Sequence, residues 1–335
     1  MRIGRVDGEV LVGEWPAHPE RTALLEAGGA LLAWDVLAGD AVPSARIHDL
    51  GRAAEWLWEV YGPDAAAAVV AGADEVEIAE GDWRVRDAGR VAAHLAWADA
   101  WWPASTAAGV PALDPVLLAA ELAVAVGDVE HLLDDEDAVG RALAAVGTPP
   151  SDPAAAELAA RVAELAEDHG VVPAAAPVPT RSSYALAAGG GERGDGVTVL
   201  SGASAVDWAL VPQGVMDAAA DAVWTLVRRQ GSTFLEVEVS PGPRPGPRLA
   251  ARFGQVDVPI DGTDPLGRLT GRVAVPPTVL LLPPASRVLT VYAPDFAQPG
   301  QAPDPGGPDR RAAIIAYARS RPASPDATLT ERLAR

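Results

Sequence analysis

Several residue types are missing from this chain, and each absence excludes a class of chemistry. The 335 residues include no cysteine, no lysine and no asparagine, so the 26 strongly basic side chains are all arginine. Without cysteine there is no disulfide, thiolate zinc site, iron–sulfur cluster or cysteine nucleophile. Without lysine there is no Schiff-base anchor for pyridoxal phosphate, no P-loop or kinase lysine and no Ser-x-x-Lys pair. Covalent and phosphate-transfer mechanisms that need these groups are therefore excluded.

Positive charge is scarce in the first half of the chain. Residues 1–150 carry 26 acidic and 9 basic side chains, a net charge of −17, whereas residues 151–335 carry 20 and 17, a net charge of −3. Such an acidic half repels the phosphates of double-stranded DNA. No apolar run approaches the roughly 20 residues that span a bilayer. We expect no signal segment, because the first residues lack a basic stretch followed by an apolar one. We predict a cytoplasmic protein that binds neither double-stranded DNA nor membranes.

The patterning of apolar residues predicts an α+β fold with two domains. Helical periodicity and helix caps dominate residues 1–170, and "VVPAAAPVPT" at 171–180 is typical of a proline–alanine linker. Over 181–300 the period changes to two, with short strands separated by glycine, proline and aspartate. This pattern favours an antiparallel β-sandwich of immunoglobulin or fibronectin type III kind. A helical tail over 301–335 closes the chain.

The pattern of the first 90 residues or so indicates a winged helix-turn-helix. Asp7-Gly8 predicts a tight hairpin, "PERTALLEAGG" a short helix, and "ALLAWDVL" a buried strand. Helices are expected from Asp49, with Gly62 as its stop, and from Pro63. "EVEIAEGDWRVRD" then predicts strand, acidic turn and strand, which would form the wing. A helical part over about 88–170 follows, beginning with a helix that Asp87 caps.

Two motifs bear on cofactors and metals. "GGGERG" at 189–194 has the Gly-x-Gly-x-x-Gly spacing of a dinucleotide site, but a strand rather than a helix follows, which favours a hairpin turn. His131 and Asp135 lie one helical turn apart, with Asp134 beside them, and this set could share a metal. Acidic residues are also common at helix starts. We predict no cofactor and no metal, and we keep a metal-dependent enzyme that uses His131 or His94 with Asp134 and Asp135 as the alternative.

Ten tryptophans are present, and three of them fall within "HLAWADAWWPAS" at 94–105. Tryptophan is mostly buried even in monomers, which favours a core role. However, adjacent indoles at 101 and 102 diverge by about 100° on a helix, so one layer can hardly bury both. The competing interpretation is a contact surface for a peptide or partner protein, where tryptophan is enriched. The predicted contact residues are Trp97, Trp101, Trp102, His94, Trp83 and Trp58.

The layout resembles the precursor-recognition modules of ribosomal peptide biosynthesis, and it looks like actinobacterial accessory proteins of the daptide recognition type. The resemblance rests on "IHDLGRAAEWLWEVYG", "VEIAEGDWRV", "HLAWADAWWPAS" and "VDWALVPQGVMDAAADAVWTLV". It implies a winged helix that binds no DNA, with a leader peptide added as a strand beside its sheet, next to a helix. The expected function is therefore a non-catalytic accessory protein that recognises a precursor peptide and a partner enzyme. A metal-dependent enzyme and a structural subunit of a larger assembly remain open as alternatives.

Overall fold

The computed structural model describes residues 1–78, 84–146, 152–171, 196–300 and 304–334. The chain forms two compact units, and each unit draws on separate stretches of sequence. Unit 1 comprises Met1–Trp101, Leu113–Val178 and Pro322–Ala334, and unit 2 comprises Trp102–Ala112 and Pro179–Arg321 with Arg335. The predicted linker lies, from residue 172 onward, outside the described residues, as does the "GGGERG" motif.

Unit 1 contains a five-stranded antiparallel sheet with the strand order β1-β2-β5-β4-β3. Its strands are β1 (Ile3–Val6), β2 (Glu9–Val12), β3 (Thr22–Ala27), β4 (Ala30–Asp35) and β5 (Ser44–Ile47). The hairpin predicted at Asp7-Gly8 is present, with φ of 52° at Asp7 and 89° at Gly8. Both values lie in the left-handed region that this dipeptide adopts readily in tight hairpins.

The short helix expected in "PERTALLEAGG" is wrong, because Thr22–Ala27 is strand β3. Its side chains alternate, with Ala23 and Leu25 buried and Leu24 and Glu26 exposed. Alanine, leucine and glutamate favour helices, but here the pairing with β4 overrides that preference. The turn between the two strands is Gly28–Gly29, and a Cβ on Gly29 would lie 2.4 Å from the Asp49 carbonyl oxygen.

The helices of unit 1 include two that begin at predicted positions, one after Asp49 and one at Pro63. The helices are α1 (Leu50–Ala53), α2 (Leu57–Tyr61), α3 (Pro63–Ala71), α4 (Arg84–Trp101), α5 (Pro115–Gly127), α6 (Ala138–Val146), α7 (Ala156–Asp168) and α9 (Leu329–Leu333). The Asp49 side chain accepts a hydrogen bond from the Arg52 amide, as an N-cap does. One helix was expected after Asp49, whereas the chain forms two. Helix α4 begins at Arg84, so the second strand of the predicted wing and the cap at Asp87 are wrong there.

Helix α4 packs on one face of the five-stranded sheet, against β3 and β4. Gly89 of α4 lies so close to the sheet that a Cβ on it would be 3.2 Å from a Leu25 methyl carbon and 3.8 Å from the Trp34 ring. Leu25 and Trp34 belong to the face that also carries Leu32 and Ala45, all of them buried. Helix α4 therefore leaves the opposite face of the sheet uncovered.

Unit 2 is built on a seven-stranded antiparallel sheet. Its strands are β6 (Val197–Ser204), β7 (Ala222–Arg229), β8 (Ser232–Val239), β9 (Leu249–Phe253), β10 (Val256–Thr263), β11 (Leu269–Val275) and β12 (Leu289–Tyr292), in the order β12-β9-β10-β11-β8-β7-β6. The sheet curls until its two outer strands meet, where the Leu289 amide donates to the Ser204 hydroxyl at 3.0 Å. Trp224 and Phe253 pack inside the curl with ring centroids 4.7 Å apart. Helix α8 (Gly307–Ser320) also belongs to this unit.

These elements confirm the α+β class and the antiparallel sheet after residue 180. Short 3-10 helices complete the described structure, at Pro19–Arg21, Glu130–Leu132, Pro153–Ala155, Pro277–Leu281, Pro284–Ser286 and Arg321–Ala323. Within the part of the chain that the structure describes, no helix has the length and apolarity needed to cross a membrane.

Residues 102–112 belong to unit 2 although they follow α4 directly, and Asp217 ties them there. One carboxylate oxygen of Asp217 accepts from the Ser105 hydroxyl at 2.6 Å, and the other accepts from the Thr106 amide at 2.8 Å and the Ala107 amide at 3.2 Å. The first oxygen also accepts from the amides of Ala219 and Ala220, both at 3.0 Å. Every acceptor direction of this buried carboxylate is therefore occupied by a donor.

Candidate functional site

Two of the tryptophans predicted as contact residues are in the core. Trp97 is 2% exposed and Trp102 is 5% exposed. Their indole N–H groups donate inside the protein, Trp97 to the Glu20 carbonyl at 2.9 Å and Trp102 to the Pro111 carbonyl at 2.8 Å. Both indoles are therefore buried in this structure, which favours the core interpretation, and their contact role stays a prediction.

The remaining predicted tryptophans differ from one another. Trp101 is half-buried, and Trp58 on α2 is 51% exposed, with its indole N–H donating to the Glu55 carbonyl at 3.0 Å. Trp83 lies outside the described residues. Trp58 is thus the member of the predicted set that a partner reaches most easily, and its contact role stays a prediction.

His94 holds the last helix of unit 1 in place. Its ring stacks on Trp97 with centroids 5.5 Å apart, and its Nε2 lies 2.9 Å from Oε1 of Glu331 on α9. Glu331 is buried and also forms the capping box of α9 with Thr328. Glu121 of α5 accepts from the amides of Leu329 and Thr330 and from the Thr330 hydroxyl, which satisfies the start of the same helix. His94 therefore has a structural role here.

The residues of the metal alternative have separate partners. His131 Nε2 lies 3.1 Å from Glu59 Oε2, Asp134 pairs with Arg52, and Asp135 pairs with Arg141. The hydrogen bond from Arg141 holds the pKa of Asp135 below its ordinary value. In the described ranges no three histidine, cysteine or acidic side chains converge in a way that could hold a metal ion. The structure therefore does not bring the predicted ligand set together.

The face of the unit 1 sheet away from α4 is partly accessible, with Leu24 exposed but Ala33 and Ser44 buried, and we call it the open face. Residues directly opposite one another in an antiparallel sheet share a face. One such row is Leu11, Arg46, Leu31 and Glu26, and the next is Ser44, Ala33 and Leu24. Leu24 is 46% exposed, and Leu11 and Leu31 are half-buried. Leucines thus cross the open face from β2 to β3.

Strand β3 is an outer strand of the sheet, and most of its outer edge faces no other strand among the described residues. The exception is a single bridge between Ala27 and Leu133. Ala27 and Ala30 flank the two-residue turn, so hydrogen-bonded pairs with β4 occur at Ala27, Leu25 and Ala23. The amide and carbonyl groups of Leu24 therefore point outward. Gly28 is four residues further on, so its amide points to the same side, where it donates to the Leu132 carbonyl at 2.7 Å.

A pocket of about 710 Å³ lies at one end of the open face, and we call it the face pocket. Its floor includes Ala33 and Ser44, and its sides include Trp15, His18 and the ion pair of Arg21 with Asp35. In that pair Arg21 Nε is 3.2 Å from Asp35 Oδ1 and Arg21 Nη2 is 2.5 Å from Oδ2. The guanidinium of Arg46 lies 5.2 Å from the centre of the Trp15 ring.

Tyr61 fixes the loop that borders the face pocket. Its hydroxyl is buried and donates to the Pro43 carbonyl at 3.1 Å. Burial raises the pKa of Tyr61 far above its ordinary value, so the hydroxyl stays protonated and keeps donating. The sequence pattern at Thr22–Ala27 indicates a helix rather than β3, so neither the open face nor the pocket could be predicted from it.

Comparisons with protein-family models, with curated proteins and with solved structures gave no match to this chain. Function is therefore inferred from the geometry of the open face, the edge of β3 and the face pocket.

Proposed function

We propose that this protein is a non-catalytic binding protein that captures an extended peptide as an additional strand on β3. The observation that carries the proposal is the outer edge of β3, where the main-chain groups of Leu24 point away from β4 and the leucine side chain is exposed on the open face. Such an edge is a ready template for a further strand.

The energetics of strand addition suit this edge. Main-chain hydrogen bonds to β3 would give affinity that depends little on peptide sequence, and side chains on the open face would give specificity. A disordered peptide loses conformational entropy when it binds, so apolar contacts have to offset that cost. On the open face, Leu11 and Leu31 lie in one cross-strand row with Arg46 between them, and Leu24 lies in the next row. Peptide side chains that point to that side would pack on them.

The resemblance to precursor-recognition modules adds a biological role to this binding mode. In that role the peptide is the leader of a ribosomal peptide precursor, Trp58 contacts a partner enzyme, and the protein acts in the cytoplasm. The winged-helix character of the first 90 residues and the immunoglobulin or fibronectin type III character of the second sheet belong to the same proposal. Co-purification from the native host, with mass spectrometry of the retained peptides and proteins, tests the role directly.

Two variants at one position test strand addition. Random linear peptides displayed on phage are selected on the full chain, and the affinity of each selected peptide is measured by fluorescence anisotropy. Leu24→Ala removes the apolar contact alone, whereas Leu24→Pro also removes the outward amide without breaking a hydrogen bond to β4. We expect Leu24→Pro to bind about tenfold more weakly than Leu24→Ala, which corresponds to roughly one main-chain hydrogen bond.

Hydrogen–deuterium exchange on the wild-type protein gives a second measure that needs no variant. A selected peptide should slow exchange in Thr22–Ala27, because the outward amides gain acceptors. Equal affinity of the two variants, or protection elsewhere with none in β3, would show that peptides do not bind in this way.

A further inference from the structure

We infer that the face pocket binds the basic side chain of a peptide, with a guanidinium group as its ligand. This inference rests on the proposed function for its biological setting, since it names the peptides that β3 would select. The pocket itself is a separate observation from the edge of β3. The two can therefore be tested apart.

The pocket and the edge belong to the same surface. Leu24 of β3 lies directly opposite Ala33, and Ala33 lies directly opposite Ser44. Ala33 and Ser44 also line the pocket. A strand added to β3 would lie about 4.8 Å outside it, and every second side chain would point to the open face. Long side chains on that face would extend toward the pocket.

The walls of the pocket suit a flat cation. Trp15 is half-buried and already has the Arg46 guanidinium 5.2 Å from its ring centre. Tryptophan is the best aromatic partner for a cation, and a guanidinium can also stack on it. The stretch around Trp15 therefore has the chemistry to hold a second arginine, one from the ligand.

The charges at the pocket favour a cation over an anion. Glu14, Asp35 and Asp40 line it, together with Arg21, His18 and Met1, whose terminal ammonium donates to the Val76 carbonyl at 2.6 Å. Arg46, which lies over Trp15, pairs with Glu9 at 3.9 Å. Arg21 and Asp35 neutralise each other through two hydrogen bonds. Glu14 and Asp40 are exposed and form no hydrogen bond or ion pair with another described residue, so two carboxylates remain for a ligand. The surplus of acid in residues 1–150 adds to the attraction at low salt.

A matched pair of small probes tests the inference on the full chain. N-acetyl-arginine amide and N-acetyl-citrulline amide have nearly the same shape, but only the first is charged. Protein labelled with nitrogen-15 tryptophan gives ten indole signals, and Trp15→Phe identifies the signal of Trp15. We expect the arginine probe to shift that signal to saturation. The citrulline probe should bind at least about fivefold more weakly.

Acidic variants locate the charge that matters. We expect Glu14→Gln combined with Asp40→Asn to weaken the arginine probe about fivefold, whereas Asp64→Asn on α3, an exposed acid outside the pocket, should leave binding unchanged. Equal binding of the two probes, or full binding by the Glu14→Gln/Asp40→Asn protein, would overturn the inference. If the arginine probe binds at Trp15 while displayed peptides leave β3 unprotected, strand addition is wrong and the pocket assignment stands.

Discussion

Replacement of Asp217 by asparagine should destabilise unit 2 strongly, whereas the same replacement at Asp221 should not. The Asp217 carboxylate accepts five hydrogen bonds, three of which come from the segment 102–112. Asparagine has the same shape but keeps one acceptor oxygen, and its NH2 group would face amides that also donate. At least two donors therefore lose their acceptor.

The magnitude follows from those two donors. A hydrogen bond to a charged group contributes roughly 1.5–3 kcal/mol, so the loss of two gives a decrease in the free energy of unfolding of at least about 3 kcal/mol. For a unit of this size the melting temperature then falls by roughly 6–12 °C. Asp221→Asn is the matched control, because Asp221 is exposed and forms no hydrogen bond or ion pair within the described structure.

The effect should also depend on pH. Burial alone would raise the pKa of Asp217, but the hydrogen bonds from Ser105, Ala219, Ala107 and Ala220 together lower it below its ordinary value of 3.8. A carboxyl with a lowered pKa stabilises the folded state above its unfolded pKa, and that contribution is lost as the pH falls through the folded pKa. Calorimetry of both variants at neutral and acidic pH measures the difference. A melting temperature for Asp217→Asn no lower than that for Asp221→Asn at neutral pH would refute this account.

Three further outcomes follow from unit 1. Trp97→Ala should lower the free energy of unfolding by about 3–5 kcal/mol, and Trp58→Ala by less than about 0.5 kcal/mol, as measured by denaturant titration; equal effects would contradict the burial of Trp97. Gly29→Ala should lower the free energy of unfolding by about 2 kcal/mol or more in the same titration, because φ is 77° and the Cβ would contact the Asp49 carbonyl. An unchanged midpoint would disprove the close approach. Glu121→Gln should loosen α9 and increase its rate of limited proteolysis at least several-fold, since Glu121 accepts three hydrogen bonds there. Asp64→Asn, an exposed acid on α3, is the control and should leave that rate unchanged.

Local signals in the sequence predicted local structure well. Asp7-Gly8 predicted the β1–β2 hairpin, and Asp49 and Pro63 predicted helix starts that the structure has. Each of these features depends on φ values or capping groups within a few residues, so the local sequence specifies it. The antiparallel sheet after residue 180 was predicted from strands of period two in the same way.

Contacts between residues far apart in the chain could not be predicted from the sequence pattern. Thr22–Ala27 has the composition of a helix and becomes a strand only because β4 pairs with it. His94 was considered as a contact or metal residue, but Glu331, its partner, lies 237 positions away. The open face could not be predicted either, because it forms only when β3 pairs with β4.

The interleaving of the two units constrains the order in which the chain matures on the ribosome. Pro322–Ala334 completes unit 1, yet it is synthesised after all the strands of unit 2. Many multidomain chains fold from the N-terminus as they emerge, each domain finishing before the next is translated. Helix α9, which His94 and Glu121 contact, is synthesised after the strands of unit 2, so unit 1 can complete its hydrogen bonds to that helix only after unit 2 has been translated.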